Sequence, residues 1–345
     1  MSDTAQHTGK PPFVVDMHSD YAIEILRQRE RGNDHALYDE HLPRLREGGV
    51  RLEVLVVGGD FDIDGVEQWH PHIVRDCMQA TLAAAGRHAD ELRVLRTRGD
   101  LADLRAGDAV GLLLGIEGAR CLEGDHALLD ELFEKGLRSL ILTHNHRNHF
   151  ADGCSVTQPG PLSADGRALL RRAQELGMIV DLVHLSVPAF HDALDRLDQP
   201  PIVSHSNARA LCTHPRNLDD EQLRRIAAHG GVVGLNFLGI FIDERHDRVT
   251  LDRLVDHAVH IASVAGVEHL GLGPDFADYY MEAMCRWLER DDLPPTYMDF
   301  VPGAHDVTGI PAVLEALSRR GFSAEECALI AGGNALRVYE QLLHP

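Results

Sequence analysis

Histidine and carboxylate residues recur in this chain directly after short apolar runs. They occur in the segments Asp16-Met17-His18-Ser19-Asp20, Ile116-Glu117-Gly118, Thr143-His144-Asn145, His184-Leu185-Ser186, Ser204-His205-Ser206 and Gly273-Pro274-Asp275-Phe276. Imidazole and carboxylate groups suit zinc, and histidine is also a frequent carrier of protons. These residue types therefore indicate a metal site with a general acid or base beside it.

Each of these residues has an ordinary structural explanation when it is taken alone. A histidine after an apolar strand is usually a hydrogen-bonded boundary residue, Glu117 could belong to a turn, and Asp275 could cap a helix. Six such residues at one edge of a fold are poorly explained by six independent structural roles, because charged side chains are rarely buried unless they are paired or coordinated. We therefore favour a metal site for the group, and we interpret His146, His149 and His214 as solvated loop residues.

The apolar runs themselves predict the fold. They are Phe13–Met17, Leu52–Val57, Val110–Ile116, Leu137–Leu142, Met178–Val183, Ile202–Val203, Val232–Phe237 and Leu270–Leu272. Continuous apolar strands that alternate with helical segments are typical of a parallel sheet buried on both faces. Eight such units predict an α/β fold, the (β/α)8 TIM barrel, although the pattern alone leaves an open doubly wound sheet as the alternative. In a barrel the carboxyl ends of the strands meet at one rim, which would bring the six segments together.

Helix ends and one long loop complete the expected architecture. Ser186, Asp219 and Ser323 are predicted to begin helices, the last with Glu326 in a capping box. The stretch from Asp278 to Asp306 has neither helical nor strand period and is predicted to be a loop over the active-site face. No compositional break divides the chain, so residues 1–345 are expected to form one barrel domain with a polar N-terminal extension and a C-terminal helical segment.

The composition excludes several classes of partner. The chain has 54 acidic and 33 basic residues, a net charge of −21, and such a field repels nucleic acid and anionic membrane surfaces. No apolar run reaches the roughly 18 residues that a membrane span needs, and Met1 to Pro12 lacks the apolar region of a signal peptide. The six cysteines have no C-x-x-C spacing. We expect a reduced, cytoplasmic protein.

In these motifs the chain resembles the membrane (renal-type) dipeptidase family, a branch of the amidohydrolase-like barrels. The resemblance covers nearly the whole chain and is strongest in Asp16–Asp20, Leu142–Asn145, Gly177–Ser186, Ser204–Arg209, Pro215–Asn217, Gly230–Val233, Gly273–Phe276 and Gly332–Asn334. It implies two zinc ions, one held by His18, Asp20 and Glu117 and the other by His184 and His205, with Glu117 bridging both.

The resemblance and the chemistry of the residues together suggest a mechanism. A hydroxide held between the two zinc ions would attack the amide of a small dipeptide. Asp275 would act as general base and then acid, and His144 would stabilise the oxyanion. Arg216 would bind the substrate's terminal carboxylate; the alternative for Arg216 is a surface residue before the helix that Asp219 begins.

Three functions remain open at this point. The first is a dipeptidase, and the family suggests tolerance of a D-residue on the carboxyl side of the bond, together with a homodimer. The second is an amidase or lactonase with the same site that acts on an N-acyl amino acid or a biosynthetic intermediate, because Gly58 and Ala277 could leave room for a different substrate. The third is a non-catalytic binding module, which the presence of every expected ligand and of Asp275 argues against.

Overall fold

The computed structural model describes residues 12–63, 65–279 and 299–345. Its strands are β1 (Val14–Ser19), β2 (Val50–Gly59), β3 (Asp62–Ile63), β4 (Val66–Glu67), β5 (Leu92–Val94), β6 (Val110–Glu117), β7 (Leu137–Ile141), β8 (Ile179–Asp181), β9 (Ile202–Val203), β10 (Val232–Leu235) and β11 (Leu270–Leu272). Its helices are α1 (Tyr21–Glu30), α2 (Leu42–Glu47), α3 (Pro71–Gly86), α4 (Arg98–Ala106), α5 (Ala127–Lys135), α6 (Ala164–Glu175), α7 (Val187–Leu194), α8 (Asp220–Ala228), α9 (Leu251–Ala265), α10 (Ile310–Arg320), α11 (Ala324–Ala328) and α12 (Asn334–Leu342).

Eight parallel strands form a nearly closed barrel. They follow one another in the order β1-β2-β6-β7-β8-β9-β10-β11, and a parallel bridge between Ser19 and Phe276 joins the first strand to the segment that follows the last. Each of the eight apolar runs identified in the sequence overlaps one of these strands. The TIM-barrel prediction is confirmed, and the open doubly wound sheet is excluded.

Two small strand features were missed by the sequence pattern. β5 pairs with the first residues of β6, Leu92 opposite Val110 and Val94 opposite Leu112. It has only three residues with Arg93 at its centre, so it gives no apolar run. The two-residue strands β3 and β4 form an antiparallel hairpin in the loop that follows β2.

Burial of apolar surface on both faces of the strands holds the barrel together. All eight residues of β6 are buried, as expected for a strand covered by helices outside and by neighbouring side chains inside. A second apolar cluster packs Tyr339 and Leu342 of α12 against Val15 of β1 and Leu52 of β2. Complete burial of a side chain of leucine size contributes about 1.5–3 kcal/mol, so the C-terminal helix is a structural part of the barrel.

The predicted helix starts are confirmed. The Ser186 side chain accepts a hydrogen bond from the amide of Ala189, and capping boxes begin the helices after Asp219 and Ser323. The loop predicted from Asp278 to Asp306 lies mostly outside the described residues. No helix within the described ranges is long and apolar enough to cross a membrane.

Candidate metal centre

The side chains predicted to form the metal site lie at or shortly after the carboxyl ends of barrel strands. His18 is the penultimate residue of β1 and Asp20 directly follows that strand, while Glu117 is the last residue of β6. His184 and His205 come shortly after β8 and β9, and Asp275 comes shortly after β11. Because parallel barrel strands all end at the same rim, these residues meet although they are spread over much of the chain.

Glu117 lies at the centre of the cluster. Its Oε1 is 2.8 Å from Nε2 of His184, 3.5 Å from Nε2 of His18 and 3.6 Å from Nε2 of His205. The carboxylate is almost fully buried, with 3% of its surface exposed. One carboxylate oxygen thus faces three imidazole nitrogens, which is an arrangement suited to a ligand shared between cations.

Two further carboxylates flank His18. Its Nε2 lies 3.8 Å from Oδ1 of Asp20 and 3.8 Å from Oδ1 of Asp275. Among the residues that the structure describes, three groups of side chains have ligand atoms within 4.8 Å of one another: His18, Glu117 and His205; Glu117, His144 and His184; His18, Asp20 and Asp275. Each group combines nitrogen and oxygen donors, the set from which zinc sites are built.

The hydrogen bonding of the cluster is incomplete in the way a cation would complete it. Within the described ranges Nε2 of His18 is buried and has no hydrogen-bond partner. The Nε2 atoms of His184 and His205 are 3.0 Å apart. If both Nε2 atoms are unprotonated, neither can donate a hydrogen bond to the other. A buried polar atom without a partner costs about 1–3 kcal/mol. Binding of a cation by these nitrogen lone pairs would remove that cost.

Burial dominates the electrostatics of the cluster. It lowers the pKa of His18 and of His144 to about 3, and the pKa values of His184 and His205 fall well below the ordinary imidazole value for the same reason. Burial, followed by the charges of Asp20 and Asp275, raises the pKa of Glu117 well above its usual range. The imidazoles are therefore neutral and able to bind a metal, and the charge of a cation would favour the ionised form of Glu117.

Backbone strain is concentrated at the same place. Among the described residues only two that are not glycine have a positive φ, His184 at 67° and Asp275 at 65°. A residue held in this region costs of order 1–3 kcal/mol, and such strain is typical of functional sites. The strained backbone of both residues presents their side chains to the cluster.

A family model settles the relationship that the motifs suggested. The model of the membrane dipeptidases, peptidase family M19, matches residues 4–285. The chain belongs to the membrane dipeptidase family.

Curated relatives and solved structures agree with this assignment. An uncharacterised dipeptidase of Schizosaccharomyces pombe is 37% identical over 67% of this chain, but the match covers only 53% of that protein. A second uncharacterised dipeptidase of the same yeast is 34% identical over 95% of this chain and 80% of its own. The crystal structure of a metallopeptidase from Rhodobacter sphaeroides, liganded with a phosphinate mimic of the dipeptide L-Ala-D-Ala, superimposes with a TM-score of 0.82. It is 22% identical and covers 96% of this chain and 100% of the other, which shows a shared fold.

His144 joins the cluster of this dipeptidase-family chain from the loop after β7. Its ring centroid is 4.5 Å from that of His184 and 5.3 Å from that of Phe61. Its Nδ1 is buried and makes no hydrogen bond to the described part of the chain. The sequence placed His144 at the site, and the structure brings it there.

Arg216 is not a surface residue, so that alternative is wrong. Only 5% of its surface is exposed, its Nη2 donates to the carbonyl oxygen of His205 at 3.2 Å, and its guanidinium carbon lies 5.4 Å from the centre of the Phe241 ring. Its Nε is buried and has no partner among the residues the structure describes. After burial, the positive charge of Arg216 is the next contribution that lowers the pKa values of His18 and His144.

Three residues that support the site were missed by the sequence analysis. Oδ1 of Asn145 lies 2.9 Å from Nδ1 of His184, and Oγ of Ser204 lies 2.9 Å from Nδ1 of His205. The amide of Asn236 donates to Oδ2 of Asp275 at 2.9 Å. A signal was present, because Asn145 and Ser204 are sequence neighbours of site histidines and Asn236 directly follows β10.

Two sequence interpretations need correction in this family member. His146 and His149 are exposed as expected, but His214 is half-buried: its ring lies 4.8 Å from that of Phe241, and its Nδ1 accepts the amide hydrogen of Arg216. Gly58 does not open a space beside its Cα, because a Cβ there would lie 2.7 Å from the carbonyl oxygen of Gln68. Ala277 is 5% exposed and packs in the core.

Proposed function

We propose that this protein is a zinc-dependent dipeptidase that hydrolyses the amide bond of small dipeptides at a site for two metal ions. The observation that carries the proposal is the position of Glu117, whose Oε1 lies within 3.6 Å of three buried imidazole nitrogens. A carboxylate in this position would be shared by both cations of a two-metal site, which would supply an activated water for hydrolysis. Membership of the membrane dipeptidase family supports the same reaction.

The ligands divide into two sets that share one residue. His18, Asp20 and Glu117 would hold one ion, since Nε2 of His18 lies 3.8 Å from Asp20 and 3.5 Å from Glu117. Glu117, His184 and His205 would hold the other, since Oε1 of Glu117 lies 2.8 Å and 3.6 Å from the Nε2 atoms of the two histidines. When bound, the two cations supply water of lowered pKa and polarise the amide carbonyl. Imidazole and carboxylate donors fit zinc, and cellular supply decides between zinc and its neighbours in the transition series.

Asp275 would carry the proton during hydrolysis. Asn236 holds Oδ2 of Asp275, while Oδ1 faces the cluster 3.8 Å from Nε2 of His18. That oxygen would take a proton from the attacking water and return it to the leaving amine. Burial raises the pKa of Asp275 to about 6, which is close to the value that favours proton transfer in both directions at neutral pH.

His144 and Arg216 would orient the substrate. Because burial holds the pKa of His144 at about 3, its imidazole is neutral and can donate one N–H to the oxyanion that develops on the carbonyl oxygen. Arg216 would bind the terminal carboxylate of the dipeptide, since its buried Nε is a donor without a partner in the described ranges. A guanidinium fork matches a carboxylate better than a point charge does.

The proposal is tested by substrate and metal together. Matched L,L and L,D dipeptides, with N-acyl amino acids beside them, would be offered to metal-stripped protein and to the same protein after zinc is restored. We expect zinc-dependent turnover of dipeptides, including those with a D-residue on the carboxyl side, for which the bound L-Ala-D-Ala mimic in the R. sphaeroides structure is the support. Cleavage of N-acyl amino acids alone would favour the hypothesis that the protein is an amidase. Failure of fully zinc-loaded protein to cleave any dipeptide would refute the proposal.

A further inference from the structure

We propose that Asn145 is a positioning residue that fixes the tautomer and the orientation of His184, so that Nε2 of His184 is available as a metal ligand. The inference rests on the proposed metal site and adds a residue to it. It concerns a contact on the side of the histidine ring that faces away from the cluster.

The two ring nitrogens of His184 face different groups. Nδ1 lies 2.9 Å from Oδ1 of Asn145, and Nε2 lies 2.8 Å from Oε1 of Glu117. A neutral imidazole carries one N–H and one lone pair, so the group that accepts the hydrogen decides which nitrogen can bind a metal. If Nδ1–H donates to Asn145, the lone pair of Nε2 is directed at the cluster.

The orientation of the Asn145 amide is set by a second donor. The thiol of Cys154 lies 3.4 Å from the same Oδ1 and can donate to it, which favours the orientation with the oxygen at this position. The opposite orientation would place an NH2 group against both Nδ1 and the thiol. Nδ1 would then accept, Nε2 would carry the hydrogen, and His184 could not bind a cation through Nε2.

The backbone around the contact is held rigidly by Gly153, Cys154 and Ser155. The amide of Cys154 donates to the carbonyl of His184 at 2.8 Å, and the amide of Ser155 donates to the carbonyl of Asn145 at 2.9 Å. The three residues therefore tie the loop after β7 to the loop after β8. Gly153 permits this close approach, because a Cβ there would overlap the carbonyl groups of His144 and Asn145.

His184 needs this external support more than a residue within a strand would. It follows the three-residue strand β8, and its φ of 67° is a strained conformation. Ligands of this kind depend on the hydrogen bond made by the second nitrogen, and loss of such a bond typically weakens metal binding 10- to 100-fold.

The test is zinc affinity, measured on the full chain by competition with a chromophoric chelator. Asn145→Leu keeps the size of the side chain and removes the acceptor, so we expect zinc affinity to fall about 10- to 100-fold. Asn145→Asp keeps an acceptor oxygen and should stay within a few-fold of the natural protein. His146→Leu, a change at the exposed neighbouring position, is the matched control and should have no effect.

The outcomes separate this inference from the proposed function. If the natural protein binds zinc and Asn145→Leu binds it equally well, Asn145 has no positioning role. If the natural protein binds no zinc, the proposed function itself fails. Should Asn145→Leu not fold, the ring nitrogens of histidines labelled with ¹⁵N give a second answer in the zinc-loaded natural protein. We expect a hydrogen on Nδ1 of His184 that is protected from exchange and whose NMR chemical shift changes in Asn145→Asp. Zinc bound to Nδ1, or a hydrogen on Nε2, would overturn the proposal.

Discussion

At the scale of single residues, the site combines neutral imidazoles with a buried guanidinium. Arg216 is 5% exposed and its charge lowers the pKa values of all four histidines of the cluster, although it touches none of their ring nitrogens. Holding a buried charge beside a metal site is unfavourable unless an anion completes it. The carboxylate of a dipeptide would be such an anion. Binding of that carboxylate would explain why an arginine is buried at this position.

Replacing Arg216 should therefore affect substrate binding more than metal binding. For Arg216→Met we expect kcat/KM for a dipeptide to fall at least about 30-fold, because losing one partner of a buried charged hydrogen bond costs about 2 kcal/mol or more. The rise in KM should account for most of the loss. Arg216→Lys keeps the charge without the fork and should recover part of the activity. The measurements are steady-state kinetics and metal content; an unchanged KM in a fully metallated Arg216→Met protein would contradict the assignment.

At the scale of elements, the loops after β9 and β10 are held in place by α9. His257 on this helix accepts the amide hydrogen of Ala208 at Nδ1 and donates from Nε2 to the carbonyl of Ile242. The bond from Ala208 requires the neutral ring, because Nδ1 must keep its lone pair, and burial lowers the pKa of His257 to about 4. The helix thus fixes the segment that leads to Arg216 through one uncharged histidine.

This arrangement predicts a pH dependence of stability. Because the folded pKa is lower than the unfolded value of about 6.5, the unfolded chain binds more protons between pH 6.5 and 4, and stability is lost as the pH falls through that window. In His257→Gln the glutamine keeps a donor and an acceptor and does not titrate. We expect the free energy of unfolding of the metal-free natural protein, relative to that of this variant, to fall by about 2 kcal/mol between pH 7.5 and pH 5. Urea unfolding at both values measures it, and a constant difference would show that His257 does not titrate in this way.

At the scale of the whole molecule, the barrel explains what the sequence could predict. His18, Glu117 and Asp275 were predictable because each follows an apolar strand, and closure of a parallel barrel brings the ends of such strands together whatever their order in the chain. The ligand cluster is thus a consequence of the topology. The same reasoning identified the helix starts at Ser186, Asp219 and Ser323, where capping chemistry is local.

The features that could not be predicted depend on contacts between loops. Arg216 is buried because it packs near Phe241, which belongs to the loop after a different strand, and His214 is half-buried for the same reason. Gly58 is confined by Gln68 and by Val74 of the following helix. The residue pattern of one segment cannot predict such contacts, because each contact depends on how two different loops are placed relative to each other. Loop sequences are also more variable than those of the strands and helices that they join.

We propose that Glu117 shares its carboxylate between two metal ions. The most direct measurement is the zinc content per chain of purified, zinc-equilibrated Glu117→Gln beside the natural protein. Asp60→Asn makes the same change at a half-buried carboxylate outside the cluster, which accepts hydrogen bonds from the side chain of Asn148 and the backbone amide of Arg120. We expect about two zinc ions in the natural protein and in Asp60→Asn, and at most one in Glu117→Gln with almost no dipeptide hydrolysis. Two zinc ions and full turnover in Glu117→Gln would contradict it.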